Sequence, residues 1–214
     1  MLKDLNIGWI DVSVPVYSGM AHWPGDPEVQ VNQRSMDVEG TLVHLTSLNM
    51  SAHTGTHMDA PLHFVDGADS MDAWTADATV GDARVIVIED RVAIRASELH
   101  RHGIRQGERL LFRTANSERN WVAEPFDENF IYIAKDAAEY LAEKQVRAVG
   151  VDYLSIGGFH DDLVATHVAM LRAGIWVVEG LYLGEVNGGN YEMICLPMKL
   201  RGADGAPARV LLRC

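Results

Sequence analysis

The chain has 214 residues, of which 48% are hydrophobic and 22% are charged, and 18 basic against 30 acidic side chains give a formal net charge of −12. This apolar content excludes an acidic disordered chain, and the negative balance disfavours nucleic-acid binding, which needs a basic surface. No repeat, low-complexity tract or linker divides the sequence. We therefore expect one domain over residues 1–214.

The first twenty residues, the most apolar run and the cysteines of the chain indicate the cellular compartment. The first twenty residues lack the uninterrupted apolar core of a secretory signal peptide. The most apolar run, residues 173–183, is interrupted by Gly174, Glu179 and Gly180 and falls short of the roughly 20 apolar residues that cross a bilayer. Cys195 and Cys214 form no spaced disulfide framework. The sequence thus predicts a cytoplasmic protein without a membrane partner.

Strands are predicted first along the chain. Apolar and polar residues alternate over Trp9–Val16 and over Val43–Met50, which is typical of strands. Short apolar runs, rich in β-branched residues, predict buried strands at Val85–Ile88, Arg109–Phe112, Ile131–Ile133, Ala148–Val151 and Trp176–Val178.

Helices are predicted mainly in the second half. Capping residues and helical spacing indicate helices over Ser97–His102, Lys135–Lys144 and His167–Ala173. The last residues return to strand character, with Tyr191–Leu196 alternating and Arg209–Leu212 expected as an edge strand. Alternation of strands and helices after about residue 80 predicts an α/β protein with a mixed sheet.

The segment from residue 51 to residue 63 concentrates metal-binding side chains. His53, His57, Asp59 and His63 lie at even offsets, so an extended chain projects all four to one side. A helix would scatter them, and Gly55 and Pro61 both oppose a helix. Imidazole and carboxylate are ligands for zinc, manganese or iron, and the two oxygens of Asp59 can bridge two ions.

A second carboxylate stands at the end of an apolar run. Glu179 follows residues 175–178, where a buried charge requires a cation partner. His160 and His167 both flank the acidic residues 161–162, and their chemistry alone does not choose between them. The other histidines, His22, His44, His100 and His102, are expected to be ordinary surface or core residues. Cys195 is expected to be a small buried hydrophobic residue.

Residues 53–63 resemble the H-x-G-T-H-x-D-x-P-x-H motif of the cyclase superfamily of metal-dependent hydrolases, which includes bacterial kynurenine formamidases and isatin hydrolases. Further stretches are similar to that family: the W-P-G-D sequence at 23–26, the twelve-residue spacing of His167 and Glu179, and residues 195–199 and 204–209. The resemblance implies a single domain of the swivelling β/β/α architecture. It also implies a homodimer or homotetramer.

The resemblance also implies a site, residue by residue. One divalent metal would be bound by His53, His57 and Asp59, and a second by Asp59, His167 and Glu179, with zinc expected ahead of manganese. The spacing of His167 to Glu179 selects His167 over His160 by this resemblance.

The resemblance also implies roles for two further residues. His63 would act as the general acid and base, and Trp23 would stack on an aromatic substrate.

The implied reaction is hydrolysis of a non-peptide C–N bond in a small molecule. A metal-bound hydroxide would attack an N-formyl arylamine of the N-formylkynurenine type, as in tryptophan catabolism, while His63 carries a proton to the leaving nitrogen. Residues 155–160 depart from the acidic stretch that precedes the downstream histidine in formamidases. An isatin-type cyclic amide, a polyketide-like substrate and a non-catalytic metal-binding module therefore stay open as alternatives.

Overall fold

A computed structural model describes residues 8–214 of the chain. The strands are β1 (Trp9–Asp11), β2 (Gln30–Val38), β3 (Thr41–Asn49), β4 (His57–Asp59), β5 (Val80–Val87), β6 (Ala93–Ile94), β7 (Arg109–Arg113), β8 (Tyr132–Ile133), β9 (Ala148–Val151), β10 (Trp176–Glu179), β11 (Gly189–Pro197) and β12 (Gly205–Arg213). The α-helices are α1 (Ala76–Thr79), α2 (Ala96–Leu99), α3 (Lys135–Glu143) and α4 (Leu163–Arg172). Short 3₁₀ helices occupy Pro61–His63, Met71–Ala73, His100–His102, Ala115–Glu118 and Trp121–Ala123.

The main sheet is mixed and closes on itself. Its strand order is β12-β11-β5-β7-β9-β10-β4, and β4 pairs back with β12. Strands β5, β7, β9 and β10 are parallel to one another, whereas β11, β12 and β4 join their neighbours antiparallel. The predicted α/β class with a mixed sheet is thereby confirmed.

Successive side chains of the central strands point to opposite faces of the sheet, and an apolar core lies on each face. On β7, Leu110 and Phe112 pack against the helices, whereas Leu111 points into the closed sheet. On β10, Val177 faces the helices and Val178 the sheet interior. Because both faces of these strands are covered, their sequences are continuously apolar, which is why they could be recognised in the sequence.

Several predicted elements have different limits in the structure. The N-terminal strand ends at Asp11, and the last helix begins at Leu163 rather than at His167. The C-terminal strand is not an edge strand: β12 pairs with β11 on one side and with both β1 and β4 on the other. Cys195 is fully buried on β11, as predicted.

A long hairpin stands apart from the closed sheet. Strands β2 and β3 pair with each other over nine residues each, and nearly every side chain on them is exposed. The sequence indicated β3 but not its partner β2. The base of the hairpin is attached at Val31, whose backbone exchanges hydrogen bonds with the hydroxyl of Ser18.

Candidate functional site

Strand β4 places two site residues on the helix-facing side of the sheet. His57 and Asp59 share this face because they are two residues apart, while Met58 between them packs into the sheet interior. The antiparallel register of β4 with β10 sets His57 directly opposite Glu179. Opposed residues of an antiparallel pair point to the same side, so Glu179 joins the two β4 residues.

The extended conformation expected for residues 53–63 is found only at β4. His53 lies in a turn before that strand, and His63 ends the 3₁₀ helix Pro61–His63 after it. Both rings nevertheless return to the β4 face, where they stack with centroids 4.0 Å apart. The four side chains therefore do converge, although a turn and a helical turn, rather than one strand, bring them together.

Helix α4 supplies the remaining histidine. His167 is buried and its Nε2 lies 3.3 Å from Oε1 of Glu179 and 3.8 Å from Oδ2 of Asp59. His160, the alternative in the sequence, is exposed and pairs with Glu128 at 3.1 Å instead. The structure thus places His167, and not His160, in the cluster.

Backbone carbonyl groups fix the orientation of two of the histidine rings. Nδ1 of His57 donates to the carbonyl oxygen of Gly55 at 2.9 Å, and Nδ1 of His167 donates to that of Leu163 at 2.7 Å. In a neutral ring the other nitrogen, Nε2, then carries the lone pair. Both Nε2 atoms point into the cluster, which is the arrangement that a metal ligand requires.

Unpaired buried atoms indicate that a cation belongs there. Nε2 of His57 and Oδ2 of Asp59 are buried and form no hydrogen bond with any residue of the range 8–214. Nε2 of His57 does lie 3.1 Å from Oε2 of Glu179, but not with hydrogen-bond geometry. Two such atoms would each cost about 1–3 kcal/mol if left unpaired, so the donor set fits a divalent metal.

Three overlapping groups of side chains could hold an ion. In each, the ligand atoms lie within 4.8 Å of one another, and the groups are His53 with His57 and Asp59, Asp59 with His63 and His167, and His53 with His63 and Asp204. The first is the predicted set for one metal. The second contains two members of the other predicted set and has His63 where Glu179 was expected, although Glu179 adjoins both His57 and His167.

Mutual electrostatics shift the ionisation of the cluster. Burial opposes the charged form of His53, but hydrogen bonds to Asp59 and Asp204 outweigh it and raise the pKa of His53 to about 10. Burial likewise disfavours the ionised form of Glu179, yet its contacts with His167 hold its pKa well below the ordinary value. Burial lowers the pKa of His63, so its ring is neutral at neutral pH. The cluster therefore holds Glu179 in the charged form that a cation requires.

Part of the cluster lines a pocket of about 250 Å³, whereas His57 and Asp59 lie buried behind it. Trp23 borders it, packed edge-on against Phe126 and tilted against Phe159. Phe64 forms another wall and stacks on His167 with centroids 4.1 Å apart. The further lining residues are Asp26, His53, His63, Leu154, Ser155, Leu163, His167 and Glu179.

Sequence reasoning missed two residues of this site. Phe64 directly follows the motif but was not singled out. Asp204, in the loop before β12, contacts both His53 and His63. The stretch 204–209 had been noted only for its similarity to the family, and no local pattern marks Asp204 as a site residue.

Comparison with known proteins shows the family of the chain. The family described as "Putative cyclase" matches residues 10–157. A kynurenine formamidase of Bacillus cereus is 36% identical over 205 residues, which cover 96% of this chain and 97% of that protein. The chain belongs to the cyclase family.

Solved structures agree with this placement. A potential metal-dependent hydrolase with cyclase activity has a TM-score of 0.82 at 36% identity and covers 95% of this chain and 96% of its own. Isatin hydrolase A of Labrenzia aggregata, at 22% identity, shares the fold with a TM-score of 0.79 and covers 95% and 92% of the two chains. The predicted enzyme class, a metal-dependent hydrolase of this family, is confirmed. Over residues 8–214, none of the helices has the length and apolar character to cross a bilayer.

Proposed function

We propose that this chain is a metal-dependent amidohydrolase that cleaves the formamide C–N bond of an N-formyl arylamine of the N-formylkynurenine type. The observation that carries the proposal is a cluster of five side chains, three of which line a pocket with aromatic walls. The cluster consists of His53, His57, Asp59, His167 and Glu179, and His53, His167 and Glu179 are the three that reach the pocket. The full-length similarity to a kynurenine formamidase supports the choice of reaction.

The metal-binding roles follow from the contacts within the cluster. His53, His57 and Asp59 would hold one divalent ion, and Asp59, His167 and Glu179 would hold the second, with zinc as the expected metal and manganese as the alternative. Such ions, when bound, polarise a carbonyl group and lower the pKa of water to about 7. The backbone contacts of His57 and His167 leave Nε2 of each ring free to bind such an ion.

His63 has the position and the ionisation state for proton transfer. One of its ring nitrogens lies within 4.8 Å of ligand atoms of Asp59 and His167. Because burial lowers its pKa, the ring is neutral and can accept a proton from the attacking water. It then donates that proton to the nitrogen that leaves, so formate and an arylamine are released.

The walls of the pocket suit an aromatic substrate. Trp23 and Phe64 border the pocket, and Phe64 is held in place by its stacking on His167. We assign Trp23 to the aromatic body of the substrate, because an indole ring offers both a broad apolar face and a polar edge. The formamide group would then lie toward His63 and the metal ligands.

The test is turnover by the zinc-loaded protein. N-formylkynurenine is followed by absorbance, and the product mass shows whether one water has been added. We expect turnover that His63→Ala abolishes while its metal content stays unchanged. No turnover beyond the His63→Ala control would overturn the formamidase assignment.

Parallel reactions separate the alternatives. Ring opening of isatin alone would favour a cyclic amide, and a product formed without uptake of water would favour cyclisation. If His63→Ala changes no rate on any substrate while the protein still binds metal, the chain is a metal-binding module.

The domain organisation and the cellular location of the chain are also part of the proposal. We propose that residues 1–214 form one hydrolase domain, supported by the full-length alignment with the formamidase. Cys195 and Cys214 are both free thiols, which supports a reducing compartment such as the cytoplasm.

We further propose that the chain forms a homo-oligomer through the β2–β3 hairpin. A two-stranded hairpin is at best marginally stable alone in water. One face of the hairpin nevertheless carries four exposed apolar side chains, those of Met36, Val38, Val43 and Leu45. The register pairs Met36 with Val43, and Val38 and Leu45 lie two residues from Met36 and Val43 on the same face. The hairpin therefore presents an apolar surface that a partner would cover.

Its dimensions and charge favour a second copy as that partner. Nine-residue strands extend about 30 Å, and burying both faces of such a ribbon approaches the roughly 800 Å² per subunit of a standard interface. Residues 30–49 contain one basic and two acidic side chains. The hairpin is thus nearly neutral within a chain of net charge −12, which limits repulsion between copies.

A further inference from the structure

Asp204 contacts two of the clustered histidines with one oxygen atom. Its Oδ2 lies 3.1 Å from Nε2 of His53 and 3.3 Å from Nδ1 of His63. The two imidazole rings are stacked, with an interplanar angle of 26°. A carboxylate thus joins a predicted metal ligand to the predicted proton carrier.

We propose that Asp204 is a positioning residue that fixes the orientation and tautomer of His63. This inference rests on the proposed function, because it assigns His63 the transfer of a proton. An ionised carboxylate only accepts hydrogen bonds, so Nδ1 of His63 must carry the hydrogen that Asp204 receives. The lone pair of the neutral ring is then on Nε2.

The proton balance follows from that tautomer. Nε2 of His63 takes a proton from the attacking water, and the imidazolium formed keeps its Nδ1–H on Asp204. The same proton then moves from Nε2 to the leaving nitrogen as the C–N bond breaks. Asp204 stays ionised throughout and stabilises the transient positive charge.

The backbone of Asp204 is also tied to this segment. Its carbonyl oxygen accepts a hydrogen bond of 2.8 Å from the amide of Ala60, which lies between Asp59 and the helical turn that carries His63. The carboxylate itself is about half exposed, with 48% of the side-chain surface accessible. A change at this side chain can therefore remove the contact with His63 without emptying a buried space.

A second possibility is that Asp204 acts only through His53. In that case it would support a metal ligand, and its loss would lower metal binding without altering His63. Oδ2 of Asp204 is nearly as close to His63, at 3.3 Å, as it is to His53, at 3.1 Å, so these distances support a contact with each ring. The tautomer of His63 and the metal content separate the two roles.

The experiment compares Asp204→Ala, which removes the acceptor oxygens, with Asp66→Ala, a matched change at an exposed carboxylate near the same segment. Zinc-saturated proteins are assayed on N-formylkynurenine, their metal content is measured, and ¹⁵N-histidine spectra are recorded. The signals of His63 are assigned from their absence in His63→Gln.

For Asp204→Ala we expect kcat to fall by about 10- to 100-fold at unchanged KM and unchanged zinc content. The Nδ1–H signature of His63 should be lost, and Asp204→Glu should restore it in part. Asp66→Ala should match the wild type in every measurement.

Two results would overturn the proposal. One is an unchanged His63 tautomer in Asp204→Ala. The other is a fall in kcat fully explained by lost zinc. If the wild-type protein hydrolyses no formamide, the proposed function fails, yet the spectra and the zinc content still decide whether Asp204 orients His63.

Discussion

Glu179 and His57 stand directly opposite each other in the antiparallel pairing of β10 with β4, with Oε2 of the glutamate 3.1 Å from Nε2 of the histidine. The strand that carries Glu179 is parallel to β9, whereas the strand that carries His57 closes the sheet by joining β10 to β12. Closure of the sheet thus brings together two proposed metal ligands that are more than a hundred residues apart in sequence.

Replacement of Glu179 tests this arrangement. In Glu179→Gln the amide oxygen can still accept the hydrogen bond that the carboxylate receives from the amide of Ile156 at 2.7 Å, so the fold should persist. The missing charge should weaken metal binding. We therefore expect zinc to raise the Tm of the variant much less than that of the wild type.

The control for this change is Glu118→Gln, which removes an exposed carboxylate paired with Arg91. Zinc should stabilise that variant as it does the wild type, because exposed ion pairs contribute little. An equal zinc-induced rise of Tm in Glu179→Gln would contradict the assignment of Glu179.

The residue after Glu179 has no room for a side chain. Gly180 has a φ of +70°, and a Cβ there would lie 2.0 Å from the carbonyl oxygen of Gly55. Gly174 has a similar φ of +74° but open space around it. We expect Gly180→Ala to cost about 3 kcal/mol or more, and Gly174→Ala only the backbone penalty of about 1 kcal/mol.

Urea denaturation of the two variants measures that difference. Since the two substitutions impose the same left-handed backbone on an alanine, the excess loss in Gly180→Ala reports the contact with the backbone of Gly55 and Thr56. Equal losses of stability would mean that the two backbone segments do not touch as described.

The pH dependence of the metal-free protein should follow His53. Its pKa is raised from 6.5 to about 10 in the folded state, because the hydrogen bonds to Asp59 and Asp204 outweigh burial. A raised histidine pKa stabilises the fold fully below the unfolded value and is lost as the pH rises through the folded value. The free energy of unfolding should therefore decline between about pH 6.5 and pH 10.

Urea midpoints at several pH values, with EDTA present, measure this decline. His53→Gln serves as the reference, since all other groups titrate in both proteins. The decline should be smaller in His53→Gln. If both proteins lose stability in parallel, the proton on His53 does not stabilise the metal-free fold.

Prediction from the sequence succeeded where burial leaves a local pattern. Strands β7, β9 and β10 are covered on both faces, so their runs are continuously apolar, and α3 spans Lys135–Glu143 against an expected Lys135–Lys144. The histidine motif was recognisable because its spacing is fixed by β4 and the turns around it.

The missed features lack any such pattern. Strand β2 has the sequence Gln-Val-Asn-Gln-Arg-Ser-Met-Asp-Val and faces almost no core, so no periodicity marks it. Asp204 reaches His63 across 141 positions of sequence. Only the pairing of β12 with β4, which no local property of the chain specifies, brings the two together.

The hairpin offers a test of self-association. Val43 and Leu45 point to the same face of β3, and changing both to lysine places two charges in the apolar surface. Light scattering after size exclusion should show a dimer or tetramer for the wild type and a monomer for the double variant.

Val92→Lys is the control, because Val92 is 63% exposed outside the hairpin. It should assemble as the wild type does. A monomeric wild-type protein, or an unchanged assembly of the Val43→Lys/Leu45→Lys variant, would contradict association through this surface.

We propose that Asp59 lies between two divalent ions, and the number of ions bound per chain tests this bridging role. Purified protein is saturated with zinc, freed of excess metal and measured by elemental analysis, beside Asp59→Asn and the control Asp66→Asn. We expect two ions per chain in the wild type and in the control, and one or none in Asp59→Asn. No bound metal in the wild type under these conditions, or two ions retained by Asp59→Asn, would contradict it.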